Sequence, residues 1–105
     1  MISIDFASTY VNIRVVITQT NTQQLWDATA LAWVAMPQDG TIPQACCQVP
    51  TRMRTAGPLA ALWRWSTDLD RASLVGSSFL IYGATSAGVP TVLIDVVPVV
   101  TQQLV

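Results

Sequence analysis

Two aspartates separated by one residue, Asp68 and Asp70, form the densest group of carboxylates in the sequence, and Asp95 is a third candidate for the same group. Carboxylate oxygens are the ligands that a hard cation such as calcium prefers. The segment lacks the glycine and the closing glutamate of a calcium-binding loop. Thr and Asp side chains also accept hydrogen bonds from free backbone N–H groups. We therefore assign Thr67, Asp68 and Asp70 to a structural turn and predict no metal site.

Catalytic chemistry is restricted by three missing residue types, because the chain contains no His, Lys or Glu. All five positive charges are Arg, and all six negative charges are Asp. Serines are plentiful, but no His or Lys is present to activate one, and the Gly-x-Ser-x-Gly elbow is absent. Gly76, Gly83 and Gly88 do not form a phosphate-binding motif. We predict that the protein is not an enzyme and uses no cofactor.

Trp63 and Trp65 flank Arg64 at the spacing that places alternate residues of a strand on one face. If that face is exposed, the two rings and Arg64 form a platform on which sugar rings or bases could stack. If the face is covered, the rings fill the core, as large aromatic side chains commonly do. Core packing is the favoured alternative, and the ligand platform stays open.

Charge and hydropathy exclude several partners and compartments. A net charge of −1 gives no positive field for a nucleic-acid backbone. The uncharged stretch 72–94 is interrupted by Gly, Ser, Thr and Pro, so no run reaches the ~20 apolar residues that span a membrane. The first residues lack the features of a signal peptide, so synthesis in the cytoplasm is expected. Adjacent Cys46 and Cys47 are expected to be buried free thiols.

Strand patterns dominate the first two thirds of the chain. Alternating apolar residues predict strands at 2–7 and 10–20. Residues 25–36 are favoured as one strand buried on both faces, with an Ala-rich helix capped by Asp27 as the alternative. Residues 59–66 are likewise favoured as a strand over a helix. Between them we expect a short strand at 41–49, broken by Pro43, and an exposed turn-rich loop at 51–58.

In the last third of the chain, the sequence pattern predicts a short helical crossover near 66–72 and then a hairpin formed by residues 77–82 and 89–100. In the final strand, Ile94 and Val97 are expected on opposite faces, and Pro98 places the strand's end at a sheet edge. About seven strands in 105 residues indicate one domain, residues 1–105. Its expected fold is an all-β antiparallel two-sheet sandwich, immunoglobulin-like or jelly-roll-like.

The apolar excess carries the main functional inference. The chain is 51% hydrophobic and 10% charged, yet a domain of this size buries only about two thirds of its unfolded surface. Large apolar patches must therefore remain on the surface. Monomers rarely tolerate such patches, whereas subunits of permanent assemblies cover them with neighbours. Self-assembly is expected.

Three segments resemble the small β-sandwich structural proteins of tailed bacteriophage virions, which include decoration, neck and tail subunits. They are Leu-Trp-Asp-Ala-Thr-Ala at 25–30, Ser-Thr-Asp-Leu-Asp-Arg at 66–71, and Val-Leu-Ile-Asp-Val-Val-Pro-Val at 92–99. The resemblance covers most of the chain in layout. It implies a virion protein that binds itself and other virion proteins.

The expected function is thus a non-enzymatic structural subunit of a virus particle, assembled through apolar faces and strand edges. The alternative is a ligand-binding β-sandwich that binds a carbohydrate or a receptor through exposed Trp side chains. Exposure of the Trp63, Arg64 and Trp65 face separates the two.

Overall fold

A computed structural model describes residues 2–19, 21–48, 51–56, 61–69, 71–85 and 88–100. Within these residues the predicted β-sandwich is confirmed: two antiparallel sheets pack together. A 3₁₀ turn at Gln44–Cys46 and a one-turn helix, α1, at Arg71–Leu74 interrupt the strands. The strands, in chain order, are β1 Ile2–Ser8, β2 Ile13–Gln19, β3 Gln24–Asp27, β4 Ala32–Ala35, β5 Cys47–Gln48, β6 Thr51–Ala56, β7 Ala61–Thr67, β8 Ser78–Ala84 and β9 Pro90–Pro98.

The two sheets differ in size. The small sheet has the order β1-β7-β6, and β1 pairs with β7 over its full length, from Ile2 opposite Thr67 to Ser8 opposite Ala61. The large sheet has the order β4-β3-β2-β8-β9, with β5 paired beside β3 on β2. β9 therefore lies at one edge of the large sheet, which confirms the edge position expected for Pro98.

The main core fills the space between the sheets because each inner strand alternates inward apolar and outward residues. The aromatic contact at its centre joins Trp65 of the small sheet to Phe79 of the large sheet, with ring centroids 4.8 Å apart. The buried residues of this core are Ile2, Ile4, Ile13, Val15, Ile17, Trp26, Trp63, Trp65, Leu74, Phe79, Ile81 and Val99.

A second, smaller cluster covers part of the outer face of the large sheet. Val16 and Leu25 point away from the main core and pack with Cys46 and Cys47, and Ile42 contacts the same cluster. Both cysteines are buried free thiols, as the sequence predicted. Residues 42–47 thus cover the outer face over β2 and β3.

The single strand predicted for 25–36 is wrong, although the preference for strand over helix is correct. The chain turns at residues 28–31 and pairs β3 with β4 as a hairpin. Asp27 Oδ1 accepts hydrogen bonds from the backbone N–H groups of Thr29 and Ala30, each at 2.9 Å. Leu31 then takes a left-handed φ of 54°. The carboxylate that would have capped a helix stabilises a tight turn instead.

The prediction of an exposed loop at 51–58 is also wrong over 51–56, because Thr51–Ala56 form the edge strand β6 against β7. Residues 57–58 lie outside the described residues. The flanking prolines and glycine suggested a turn, but β7 offers an open edge to these residues. The neighbouring strand prediction for 59–66 is confirmed by β7, which runs over Ala61–Thr67. The register between β6 and β7 shifts between Met53 and Thr55.

Two further predictions hold in part. In the 41–49 segment, the N–H of Cys46 donates to the Pro43 carbonyl at 2.9 Å, which makes a 3₁₀ turn before the two-residue strand β5. The helical crossover near 66–72 is present but shorter, since Thr67 ends β7 and α1 begins at Arg71.

The terminal hairpin is confirmed by β8 and β9, but the predicted faces of β9 are wrong. Ile94 and Val97 both pack against the main core. The cause is a bulge: Ile81 lies opposite Asp95, whereas Tyr82 lies opposite Leu93, so Ile94 is an extra residue in the register.

Candidate functional site

Strand β8 separates the main core from the outer side of the large sheet, which the second cluster covers only in part. Phe79 and Ile81 point inward and are fully buried. Leu80 and Tyr82 alternate with them, point to the opposite side and are half-buried beside the second cluster. This period of two gives the large sheet an apolar outer side next to its edge.

Strand β9 extends that apolar side to the sheet edge. Val96 lies opposite Leu80, and Leu93 lies opposite Tyr82. Directly opposed residues of an antiparallel pair point to the same side of the sheet. Leu93 and Val96 are 49% and 46% exposed. We call the four residues Leu80, Tyr82, Leu93 and Val96 the β8–β9 outer face.

The backbone edge of β9 is partly protected against pairing by two prolines, one charged residue and the bulge at Ile94. It is nine residues long, and its one charged residue is Asp95, whereas natural edge strands are commonly short or carry lysine. Asp95 Oδ1 accepts a hydrogen bond from the N–H of Val96 at 2.8 Å and so occupies one backbone donor. Pro90 and Pro98 mark the two ends of the strand. The edge is therefore restricted at its two ends and at the bulge near its middle.

Arg14 places a positive charge beside this face. It lies on β2 opposite Tyr82, hence on the same side of the large sheet. Its Nη1 donates to the Ile13 carbonyl at 2.8 Å, and its buried Nε has no partner. No carboxylate of the described residues lies within ion-pair distance of it. Gly88 packs so closely that a Cβ there would lie 3.0 Å from Arg14 Nη2.

Two buried free thiols lie next to this face. Burial raises the pKa of Cys46, and the charge of Asp27 raises it further. Burial also raises the pKa of Cys47, although Arg14 opposes that effect. Burial likewise raises the pKa of the Tyr82 hydroxyl. Thiols with raised pKa values hold little thiolate at neutral pH and serve as packing groups.

The Trp63, Arg64 and Trp65 triplet does not form an aromatic surface. Trp63 and Trp65 are 7% and 1% exposed and belong to the main core. Arg64 points to the opposite, exposed side and forms a two-point ion pair with Asp5, with contacts of 2.9 and 3.2 Å. The two rings and the guanidinium thus lie on opposite faces of the small sheet, as strand alternation requires.

Of the three residues assigned to a turn at 67–70, the structure describes Thr67 and Asp68, and Asp70 lies outside the described residues. Thr67 Oγ1 accepts a hydrogen bond from the N–H of Leu69 at 3.2 Å, while Asp68 is exposed. In the described residues, no three His, Cys, Asp or Glu side chains come together as a metal site would require.

A cleft of about 580 Å³ lies beside this turn, lined by Trp26, Leu31, Thr67, Asp68, Leu69 and Ser73. Trp26 meets Trp33 edge to face, with ring centroids 5.2 Å apart. The Trp26 Nε1 donor is buried without a partner. It is therefore closed off from the cleft rather than presented to it.

Comparison with protein families, with curated proteins and with solved structures found no match. None of the helices in the described part of the chain has the length and apolar character needed to cross a membrane.

The β8–β9 outer face was not identified as a site from the sequence. The alternation of Leu80 and Tyr82 with Phe79 and Ile81 was a visible signal. Their pairing with Leu93 and Val96 was not, because the bulge at Ile94 moves residues between faces.

Proposed function

We propose that this chain is a non-enzymatic structural subunit that assembles with copies of itself and with other proteins of a virus particle. The observation that carries the proposal is the β8–β9 outer face, a partly exposed apolar surface at the edge of a sheet. The virion assignment, as a capsid decoration, neck or tail subunit, is supported by the sequence resemblance at 25–30, 66–71 and 92–99.

The size of the face predicts a weak pairwise contact. Full burial of one aliphatic side chain contributes about 1.5 to 3 kcal/mol, so a half-exposed one contributes about 1 kcal/mol. Leu93 and Val96 of two copies together supply about 4 kcal/mol, which equals the low end of the roughly 4 to 15 kcal/mol that association costs, and the less exposed Leu80 and Tyr82 add less. Stable association therefore needs several contacts per subunit, as in a ring or lattice.

Sedimentation velocity over a range of protein concentration tests this proposal. The wild-type protein is expected to exceed the 11.4 kDa monomer mass as concentration rises. The variant Leu93→Thr/Val96→Thr places β-branched residues, which suit a strand, at both positions and removes apolar surface, so we expect it to sediment as a monomer. Val11→Thr makes the same kind of change at an 86% exposed position outside the face and is the matched control.

A wild-type protein that stays monomeric at high concentration contradicts self-assembly. Electron microscopy of the concentrated protein is expected to show a ring, tube or lattice. The virion assignment is tested separately, by mass spectrometry of purified virus particles from cells that carry the gene. Absence of the chain from such particles contradicts that assignment and leaves self-assembly in place.

A further inference from the structure

We propose that copies of this chain join head to tail, with the β8–β9 outer face of one copy seated on the cleft that Trp26, Leu31 and Leu69 line in the next copy. Arg14, beside the face, then pairs with Asp68 at the neighbouring cleft. This inference rests on the proposed function, because it names the second surface that the outer face contacts. It goes beyond that function by making the contact heterologous, so that assembly grows as a ring or a helix.

The two surfaces lie toward opposite edges of the large sheet. Trp26 is on β3, and Leu31 is in the turn that joins β3 to β4. β9 lies three strand positions away from β3 in the order β4-β3-β2-β8-β9. At the usual strand spacing of about 4.8 Å, this separation is about 14 Å. One copy can therefore present both surfaces at once, each to a different neighbour.

The cleft supplies apolar surface that suits the outer face. Its volume of about 580 Å³ is large enough to hold an aliphatic side chain, since ligand-sized clefts span roughly 300 to 1,000 Å³. Leu31 is 63% exposed and takes a left-handed φ of 54°, a strained conformation that proteins retain mainly at functional sites. Leu93 and Val96 of the outer face are about half exposed. Contact between the two surfaces removes this apolar area from water.

The charges favour a second copy as the partner. Arg14 has no carboxylate of the described residues within ion-pair distance, and its buried Nε has no acceptor. Asp68 is exposed and makes no hydrogen bond or ion pair with the described residues. The other described aspartates each accept a hydrogen bond within the chain. They are Asp5, Asp27, Asp39 and Asp95. The proposed contact thus joins a cation that lacks a carboxylate to a carboxylate that lacks a donor.

On each surface the charge lies next to apolar residues. Leu93, Tyr82 and Arg14 lie opposite one another on β9, β8 and β2, so all three point to the outer side of the large sheet. Leu69 directly follows Asp68, and both line the cleft. A single arrangement of two copies therefore brings the apolar residues and the opposite charges together.

Cysteine trapping tests whether the contact joins two different surfaces. Leu93→Cys places a thiol on the outer face, and Leu31→Cys places one at the cleft, while the native cysteines are buried. The two variants, one of them isotope-labelled, are mixed and oxidised with copper phenanthroline. We expect mass spectrometry to find mixed disulfide dimers above their statistical share, because a heterologous contact does not place like positions together. Leu93→Cys mixed with Val11→Cys is the matched control, since Val11 is 86% exposed but lies outside both surfaces.

Charge reversal and charge exchange test the ion pair, measured as the dissociation constant from sedimentation velocity. We expect Arg14→Glu and Asp68→Arg each to weaken association by about tenfold or more, because each places like charges together. The double variant Arg14→Glu/Asp68→Arg restores opposite charges at the contact and is expected to return close to the wild-type value. Arg52→Glu makes the same change on β6 of the small sheet, outside both surfaces, and is the matched control.

Circular dichroism and urea unfolding confirm that each variant is folded. If Arg14→Glu does not fold, Arg14→Gln and Asp68→Asn form a double-mutant cycle, in which a non-additive effect on the dissociation constant supports the pair and an additive one overturns it. Mixed disulfide dimers at their statistical share, or a double reversal as weak as the single ones, overturn the head-to-tail contact, while wild-type assembly still supports the proposed function. A wild type that stays monomeric refutes the proposed function itself.

Discussion

Truncation of Trp65 tests whether the tryptophans of β7 form the core. The Trp65 side chain is 1% exposed and contacts Phe79 at 4.8 Å between ring centroids, with a 58° angle between the rings. Truncating a buried Trp to Ala costs about 3 to 5 kcal/mol, and a tilted aromatic pair adds about 0.5 to 1.5 kcal/mol. We expect Trp65→Ala to lower the free energy of unfolding by about 4 to 6 kcal/mol.

This loss is large beside the roughly 5 to 15 kcal/mol that stabilises a domain of this size. Urea unfolding followed by circular dichroism measures it. With a denaturant slope of about 2 kcal/mol per molar, the midpoint falls by about 2 M or more. Trp65→Phe retains a ring against Phe79, so we expect it to lose less and to remain folded if Trp65→Ala does not.

Met53→Ala is the control, because Met53 is 58% exposed on β6 and its truncation should change stability by no more than about 0.5 kcal/mol. A Trp65→Ala loss below about 1 kcal/mol refutes the packed core between the two sheets. Such a result would instead favour the alternative in which Trp63 and Trp65 form an exposed ligand platform.

Two other predictions concern packing around the large sheet. A Cβ added at Gly83 would lie 2.6 Å from the Tyr10 ring. Gly83→Ala should therefore lower the free energy of unfolding, measured in urea, by about 1 kcal/mol. Adding Tyr10→Ala should remove most of that loss, and a loss that persists in the double variant contradicts the contact. Burial raises the pKa of the Cys46 and Cys47 thiols. Iodoacetamide at pH 8 should therefore label them slowly in the native protein and rapidly in urea. Rapid labelling of the native protein contradicts their burial.

The class of fold could be predicted because its signal is local. Val15 and Ile17 of β2, and Trp63 and Trp65 of β7, alternate with outward residues, and each pair is buried on the predicted side. Alternation depends on the pleat of a single strand and requires no knowledge of the partner strand.

The errors arose where a contact distant in sequence decides the structure. Thr51–Ala56 become a strand because β7 lies beside them. Asp27 starts a turn because β4 returns to pair with β3. Neither pairing strand, β7 or β4, can be recognised from the local pattern. Residue propensity therefore predicted a loop at 51–58 and one continuous strand at 25–36.

The candidate site was the least predictable part. Composition indicated apolar surface without locating it. The β8–β9 outer face depends on the register between two strands, and the bulge at Ile94 sets that register. Arg14 was unremarkable in the sequence, and its register opposite Tyr82 alone places it beside this face.

Hydroxyl-radical footprinting across a range of protein concentration tests the central claim most directly, because it measures exposure of the apolar face residue by residue. If the chain assembles through the β8–β9 outer face, oxidation of Tyr82, Leu93 and Val96 slows as concentration rises. Met53, on the exposed edge strand of the small sheet, should keep its rate. Unchanged rates at Tyr82, Leu93 and Val96 at every concentration, or protection of Met53 instead, would contradict the account.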